Sequence, residues 1–235
     1  VHASVSGEVI SIEESRTAMG STDTFVVIAS DGRQEPWEGL QIPHCETKDD
    51  FIKAVRDSGL VGLGGASFPT HVKFNPANLD ECDTLIVNGA ECEPFITSDH
   101  RNMLEHTDDI ISGIRLTMKY LGLSKCYVGI ENNKPDAIEK IRNGLKEIKG
   151  AEVVELRSTY PQGAERVLIH ETAGKTLKAG QLPASAGCIL SNVTTIMFVG
   201  QYFRTGMPLI QRTVTVAGDA VANPSNVVVP VGTKY

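Results

Sequence analysis

Four glycines fall within the seven residues Gly59-Leu-Val-Gly-Leu-Gly-Gly65, and Phe68-Pro69-Thr70 and Lys73 follow at once. Glycine at Gly62, Gly64 and Gly65 allows another group to lie directly against the main chain. An aromatic face, a rigid turn and a cation beside such bare backbone suit a flat, anionic ligand, of which a flavin nucleotide is one. The run lacks the Gly-Lys-Ser/Thr of a P-loop and the third spaced glycine of the dinucleotide fingerprint. Read in isolation, it is equally a loop with several turns.

Three more stretches could carry chemistry. Val87 to Arg101, "VNGAECEPFITSDHR", gathers Asn88, Glu91, Glu93, Asp99 and Arg101 after an apolar run. An Asn side chain donates and accepts at once, which suits a ribityl chain or the edge of a heterocycle, and carboxylates accept from ribose hydroxyls. The alternative is a solvated acidic loop. Cys92 has no histidine close in sequence and reads as a filler thiol. Tyr160 to Arg166, "YPQGAER", sets Gly163 and Glu165 at the start of a helix, where backbone N–H groups can meet a phosphate. Leu190 to Phe198, "LSNVTTIMF", opens another helix with Asn192 and Thr195, again suited to a phosphate. Taken alone, Asn192 is a helix cap.

Composition narrows the function classes. With 235 residues, 41% of them hydrophobic, the chain can bury a sizeable core. Its net charge of −7 argues against a nucleic-acid partner, which calls for a basic face. The longest apolar runs are far too short to span a bilayer. Cys45, Cys82, Cys92, Cys126 and Cys188 include no C-x-x-C pair, so no cluster or structural zinc is expected, and the dispersed histidines offer no metal site. No signal-peptide pattern opens the chain, so a cytoplasmic setting is expected. The start at Val1 and the end at Tyr235 suggest a piece of a longer protein.

The elements that must position these residues can be read from periodicity. Residues 1 to about 36 have β character, with Asp31-Gly32 as a hairpin-type turn, and an irregular link follows. Helices are expected over 49–58, 107–121 (Thr107 as N-cap), 134–148, 161–172 and 192–203. Strands are expected over 83–88, 125–130 and 151–156. Such alternation predicts an α/β fold, a mostly parallel sheet with helices on both faces, whose ligands lie beyond the carboxyl ends of the strands. From residue 211 the chain turns back to β character.

Together the motifs carry a resemblance. "GLGGASFPTHVK", "VNGAECEP", "YPQGAERVLI" and "LPASAGCILSNVTT" resemble, in order and over nearly the whole chain, the flavin- and NADH-binding subunit of complex I and the C subunit of the Rnf complex. Leu63, Ala90 and Ala164 stand where complex I subunits have arginine, aspartate and glutamate. "NGAECEP" and "ENNKPDAI" are similar instead to the Rnf C subunit and its relatives, which include cobalamin reductases and electron-transfer proteins of amino-acid reductases.

The resemblance implies a Rossmann-like α/β domain over 41–210 that binds FMN and NADH. A lipoyl-like β segment would precede it at 1–40, and the beginning of a soluble-ligand-binding (SLBB) β-grasp domain would follow at 211–235. The first lysine is Lys48, so residues 1–40 carry no lipoyl group. Gly62, Gly64, Gly65, Lys73, Asn88, Glu91, Gly163, Asn192 and Thr195 would hold FMN. Phe68, Lys73, Glu93 and Glu165 would hold NADH. The flavin carries the hydride chemistry, so no catalytic acid or base is assigned. The two [4Fe-4S] clusters of the family are expected only in a C-terminal part beyond this sequence. Implied partners are NADH, other Rnf-type subunits and ferredoxin-like carriers, with peripheral attachment to the cytoplasmic membrane through those subunits. Two other readings share the resemblance: a soluble reductase for cobalamin or an amino-acid reductase system, and a docking scaffold that no longer holds flavin.

Overall fold

Thr47 fixes where the first helix begins. In a computed structural model, which describes residues 2–17 and 20–233, its hydroxyl accepts the Asp50 N–H at 3.1 Å and the Asp50 carboxylate accepts the Thr47 N–H at 3.0 Å. This reciprocal pair is a capping box, and it starts α1 at Lys48–Asp57. The chain then enters the glycine segment. The Gly62 N–H donates to the Phe68 carbonyl at 2.8 Å and Val61 bridges Pro69, so residues 62–68 form a loop closed at its base. The short helix α2 (Thr70–Lys73) follows.

Two hairpins flank the main sheet. The first pairs β1 (Gly7–Arg16) with β2 (Thr22–Ser30), antiparallel and largely exposed. Their connection lies between Arg16 and Thr22, not at Asp31-Gly32 as the sequence suggests. Asp31 instead follows the end of β2, where its carboxylate accepts the Ser6 hydroxyl and the Arg33 N–H. The main sheet contains β3 (Thr84–Gly89), β4 (Lys125–Glu131), β5 (Ala151–Leu156) and β6 (Cys188–Asn192). The helices between them are α3 (Ser98–Glu105), α4 (Thr107–Leu121), α5 (Pro135–Leu145) and α6 (Glu165–Ala173). After β6 come α7 (Val193–Thr205) and the second hairpin, β7 (Gln211–Val216) with β8 (Ser225–Pro230).

The four central strands are parallel, in the order β5-β4-β3-β6. Strand alternation divides their side chains between two cores. Leu85, Val87, Val128 and Ile189 join α4, α5 and α7 on one face, whereas Ile86, Cys188 and Leu190 join Leu168 and Ile169 of α6 on the other. Fully burying each such aliphatic side chain contributes roughly 1.5–3 kcal/mol relative to leaving it exposed. The fold class is therefore the expected Rossmann-like α/β arrangement.

Two elements depart from the sequence reading. Residues 98–105 are helical, so Thr107 does not cap α4. It is the first residue of that helix, and its hydroxyl donates back to the Met103 carbonyl. Strand β6 is also absent from the sequence reading, because five residues running straight into a helix give too short a period to recognise. Its position matters. The chain passes from β3 outward to β4 and β5, then returns to lay β6 on the other side of β3. The carboxyl ends of β3 and β6 thus form the switch point at which such sheets bind ligands. Among the described residues, no helix is long and apolar enough to cross a membrane.

Candidate functional site

A cavity of about 700 Å³ opens at that switch point, within the range of roughly 300–1,000 Å³ typical of cofactor sites. All twelve residues that the sequence assigns to FMN or NADH line it: Gly62, Gly64, Gly65, Phe68, Lys73, Asn88, Glu91, Glu93, Gly163, Glu165, Asn192 and Thr195. Four segments far apart in sequence therefore meet at one place.

The strand ends hold the loops in register. Asn88, near the end of β3, donates from Nδ2 to the Gly163 carbonyl at 3.0 Å and accepts the Ala90 N–H at 3.1 Å. One side chain thereby joins the second loop to the third. The Gly163 N–H points at Cys92 Sγ, 3.3 Å away. Lys134 supports the second loop from beneath. It is buried in an ion pair with Glu131 at 3.0 Å and donates to the Ala90 carbonyl at 2.8 Å. The sequence contains Lys134 in its "ENNKPDAI" motif but gives it no role; only the reach from β4 across to β3 reveals one.

Asn192 occupies the N-cap of α7, with Oδ1 accepting the N–H groups of Thr194 (2.9 Å) and Thr195 (3.2 Å). Two amides that the sequence suggests for a phosphate are thus already engaged. Asn192 Nδ2 donates to Asp99 at 2.6 Å, and the Thr194 hydroxyl donates to the same carboxylate. Thr195 is buried, and its hydroxyl accepts the Leu63 N–H at 2.9 Å, so its contact is with the glycine loop. Lys73 and Glu165 form an ion pair at 3.0 Å, both partly exposed. Phe68 is half exposed, and Glu93 is exposed.

Glu91 has a structural duty as well as a place in the wall. Its carboxylate accepts the N–H groups of Asp99 (2.6 Å) and His100 (3.1 Å), capping the first turn of α3. Burial, with the Asp99 charge second, pushes its pKa up to about 7. Burial raises the Asp99 carboxyl as well. The folded state thus favours the protonated form of Glu91. Its charge costs nothing at pH 4, begins to cost stability above its ordinary value of 4.5, and costs fully once pH passes about 7. Thermal melts of Glu91→Gln beside the wild type should show the wild type's relative stability falling from pH 5 to pH 8. A constant difference across that range would mean that Glu91 is ionised throughout.

Backbone strain concentrates around the cavity. Four described non-glycine residues have positive φ, and three of them, Ser67 (51°), Glu91 (51°) and Phe95 (69°), lie in the two loops that border it. Such conformations cost of order 1–3 kcal/mol each and persist where surrounding structure enforces them. Gly65, at φ 117°, adopts a conformation that other residues rarely reach, and a Cβ there would meet nothing within 4 Å. At this point the loop presents bare backbone to open space.

One wall is absent from the sequence reading. Arg212, Thr213, Val214 and Thr215 of β7 also line the cavity. Thr215 Oγ1 accepts the Thr97 N–H at 3.1 Å, and Thr213 donates to Asn102 at 3.3 Å, so β7 packs across the start of α3. Arg212 Nη2 donates to the Leu63 carbonyl at 3.2 Å. Nothing local in "RTVTV" marks it as part of a site assembled from residues 62–195.

Three observations bear on whether a flavin nucleotide fits. The glycine loop offers backbone to open space at Gly65. Thr70 Oγ1 and Arg212 Nε are buried and lack hydrogen-bond partners among the described residues, although both residues line the cavity. Buried polar atoms are normally paired. A flat ligand with hydrogen-bonding groups suits these walls. A smaller cavity of about 360 Å³ shares Glu91, Glu93 and Ile96 with the first and continues past Lys134 to Tyr160.

Known proteins resemble this chain in sequence and fold. The family model of the Nuo51 FMN-binding domain matches residues 55–201. In Clostridium ljungdahlii, the C subunit of the proton-translocating ferredoxin:NAD(+) oxidoreductase complex is 39% identical over this whole chain and 52% of its own length. Its Na(+)-translocating counterpart in Acetobacterium woodii is 40% identical over this whole chain and 54% of its own length. The chain thus spans about half the length of these relatives. Among solved structures, an NAD+-reducing [NiFe]-hydrogenase in the air-oxidized state superposes with a TM-score of 0.64 at 24% identity, over 79% of this chain and 37% of the other. That likeness concerns the fold.

Proposed function

The chain belongs to the family of Nuo51 FMN-binding domains, and from that premise we propose that it is the FMN- and NADH-binding part of the C subunit of an Rnf-type ferredoxin:NAD oxidoreductase. The observation that carries this reading is the meeting of all four motif loops around one cavity at the switch point of the sheet. In this reading residues 1–40, 41–210 and 211–235 are the lipoyl-like segment, the flavin domain and the start of the SLBB domain. Other Rnf-type subunits hold the protein at the membrane and, with ferredoxin-like carriers, are its partners.

Bound FMN supplies a ring that exchanges a hydride with NAD(H), and the protein's contribution is position and electrostatics. The glycine loop, whose backbone is bare at Gly65, would let the ring approach, and Thr195 holds that loop from below through Leu63. Asn88 and Glu91 form the wall at the end of β3, and Gly163 continues it. Phe68, half exposed at the rim, offers a face for the nicotinamide nucleotide, and Glu93 an acceptor for its hydroxyls. Lys73, paired with Glu165, would lie beside both the flavin and the dinucleotide.

The test is anaerobic reconstitution of the protein with FMN, followed by NADH, with the visible flavin absorbance as readout. Bleaching faster than that of free FMN is the expected result. In the Glu93→Gln variant NADH affinity should fall more than FMN affinity; equal losses would remove Glu93 from the dinucleotide site. FMN binding without bleaching would remove the NADH assignment, and failure to bind FMN would leave only a docking scaffold.

A further inference from the structure

We propose that Arg212 is the anchor for the phosphate of the bound flavin nucleotide, an inference that rests on reading this cavity as an FMN site. Six ionisable side chains line the cavity: Lys73, Glu91, Glu93, Asp99, Glu165 and Arg212. The walls are therefore predominantly acidic, yet FMN carries a phosphate dianion. A cation must offset both.

Lys73 is poorly placed for that task, because Glu165 already neutralises it at 3.0 Å. The start of α7 is also partly used, since Asn192 Oδ1 accepts two of its first amides. Arg212 is different. Among the described residues no carboxylate pairs with it, and its one hydrogen bond, from Nη2 to the Leu63 carbonyl, leaves most of its five donors unengaged. Its Nε is buried without a partner. A guanidinium so held matches a phosphate, which it can engage through two parallel N–H donors.

Position supports the assignment. Leu63 donates its N–H to Thr195 in the first turn of α7 and accepts from Arg212 at its carbonyl. One residue of the glycine loop thus ties Arg212 to the end of the cavity where α7 begins. The partial positive charge of that helix terminus adds to the guanidinium field. The bond to Leu63 also orders the glycine loop, so the same side chain fixes the loop and offers the charge.

Riboflavin separates these two effects, because it has the same ring and ribityl chain but no phosphate. Flavin fluorescence titrations should compare FMN with riboflavin on the wild type, Arg212→Gln and Arg212→Lys. Gln keeps a donor for the Leu63 carbonyl while removing the charge. FMN affinity should fall about 10- to 100-fold in Arg212→Gln, as expected for a lost charged hydrogen bond, with riboflavin affinity within about twofold of wild type. Arg212→Lys should recover part of the FMN affinity as a point charge. Equal weakening of both ligands, in a variant whose circular dichroism matches wild type, would overturn the phosphate role and leave Arg212 as a clamp on the loop. No change for either ligand would overturn it as well. A wild type that binds neither flavin would overturn the FMN reading itself, and this inference with it.

Discussion

Gly64→Val is expected to weaken FMN binding by at least about 100-fold, or ~2.7 kcal/mol, while the sheet and its helices stay folded. A Cβ on Gly64 would stand 3.1 Å from Asn192 Cβ and 3.3 Å from its Cγ and Nδ2. The glycine sequence by itself suggests that a new side chain would simply take the place of the ring. The structure gives another route. The added methyl groups press on Asn192, which caps α7 and donates to Asp99, and force the loop and the helix cap apart. The binding surface is lost by deformation rather than by occupation. Flavin fluorescence titration measures the effect, with far-UV circular dichroism as the control for folding. Wild-type affinity in Gly64→Val would show that the glycine loop takes no part in holding the flavin.

Gly200→Ala should destabilise the whole domain by about 3 kcal/mol, the upper end of the usual cost of overpacking. Helices α4 and α7 cross with almost no space between their backbones. A Cβ on Gly200 would lie 2.0 Å from the Asp109 carbonyl oxygen, and one on Gly113 would lie 2.0 Å from the Ile196 carbonyl oxygen. Both obstacles are backbone, so the helices must separate to admit even one methyl group. Separation would also strain the two-pronged bond of Arg204 to Asp109, at 2.9 Å for each prong. Urea unfolding should show a lower midpoint with an unchanged m-value. FMN affinity should fall as well, because α7 carries Thr195 and is capped by Asn192. A loss below about 1 kcal/mol would mean that the crossing relaxes easily.

Much of the site was legible before any folding because its chemistry is local. Four short runs contain the glycines, amides and carboxylates that line the cavity. Once alternation of strands and helices predicts a parallel sheet, its rules place the loops after the strands at the carboxyl edge. The fold class was readable for the same reason. The stripe Ile110, Ile111, Ile114, Met118 and Leu121 declares a helix in any context, and the described boundaries of α4 match the expected span.

The rest was not legible, because it depends on residues brought together from far apart. Thr195 reads as a phosphate contact in its own segment, yet its hydroxyl meets Leu63, 132 positions earlier. Glu91 reads as a ligand group, but helix α3, which periodicity does not reveal, places two amides on its carboxylate. Arg212 stands 149 positions from the carbonyl it holds, on a strand that the sequence assigns to the next domain.

The sequence by itself therefore determined the class of fold and the inventory of groups that can meet a flavin, since periodicity and residue chemistry are properties of short segments. Tertiary structure decided which of those groups are already satisfied by one another and which still have donors to give. Hydrogen bonds and ion pairs form only at contact distance, and the return of β6 beside β3, with β7 packed against the start of α3, sets those distances.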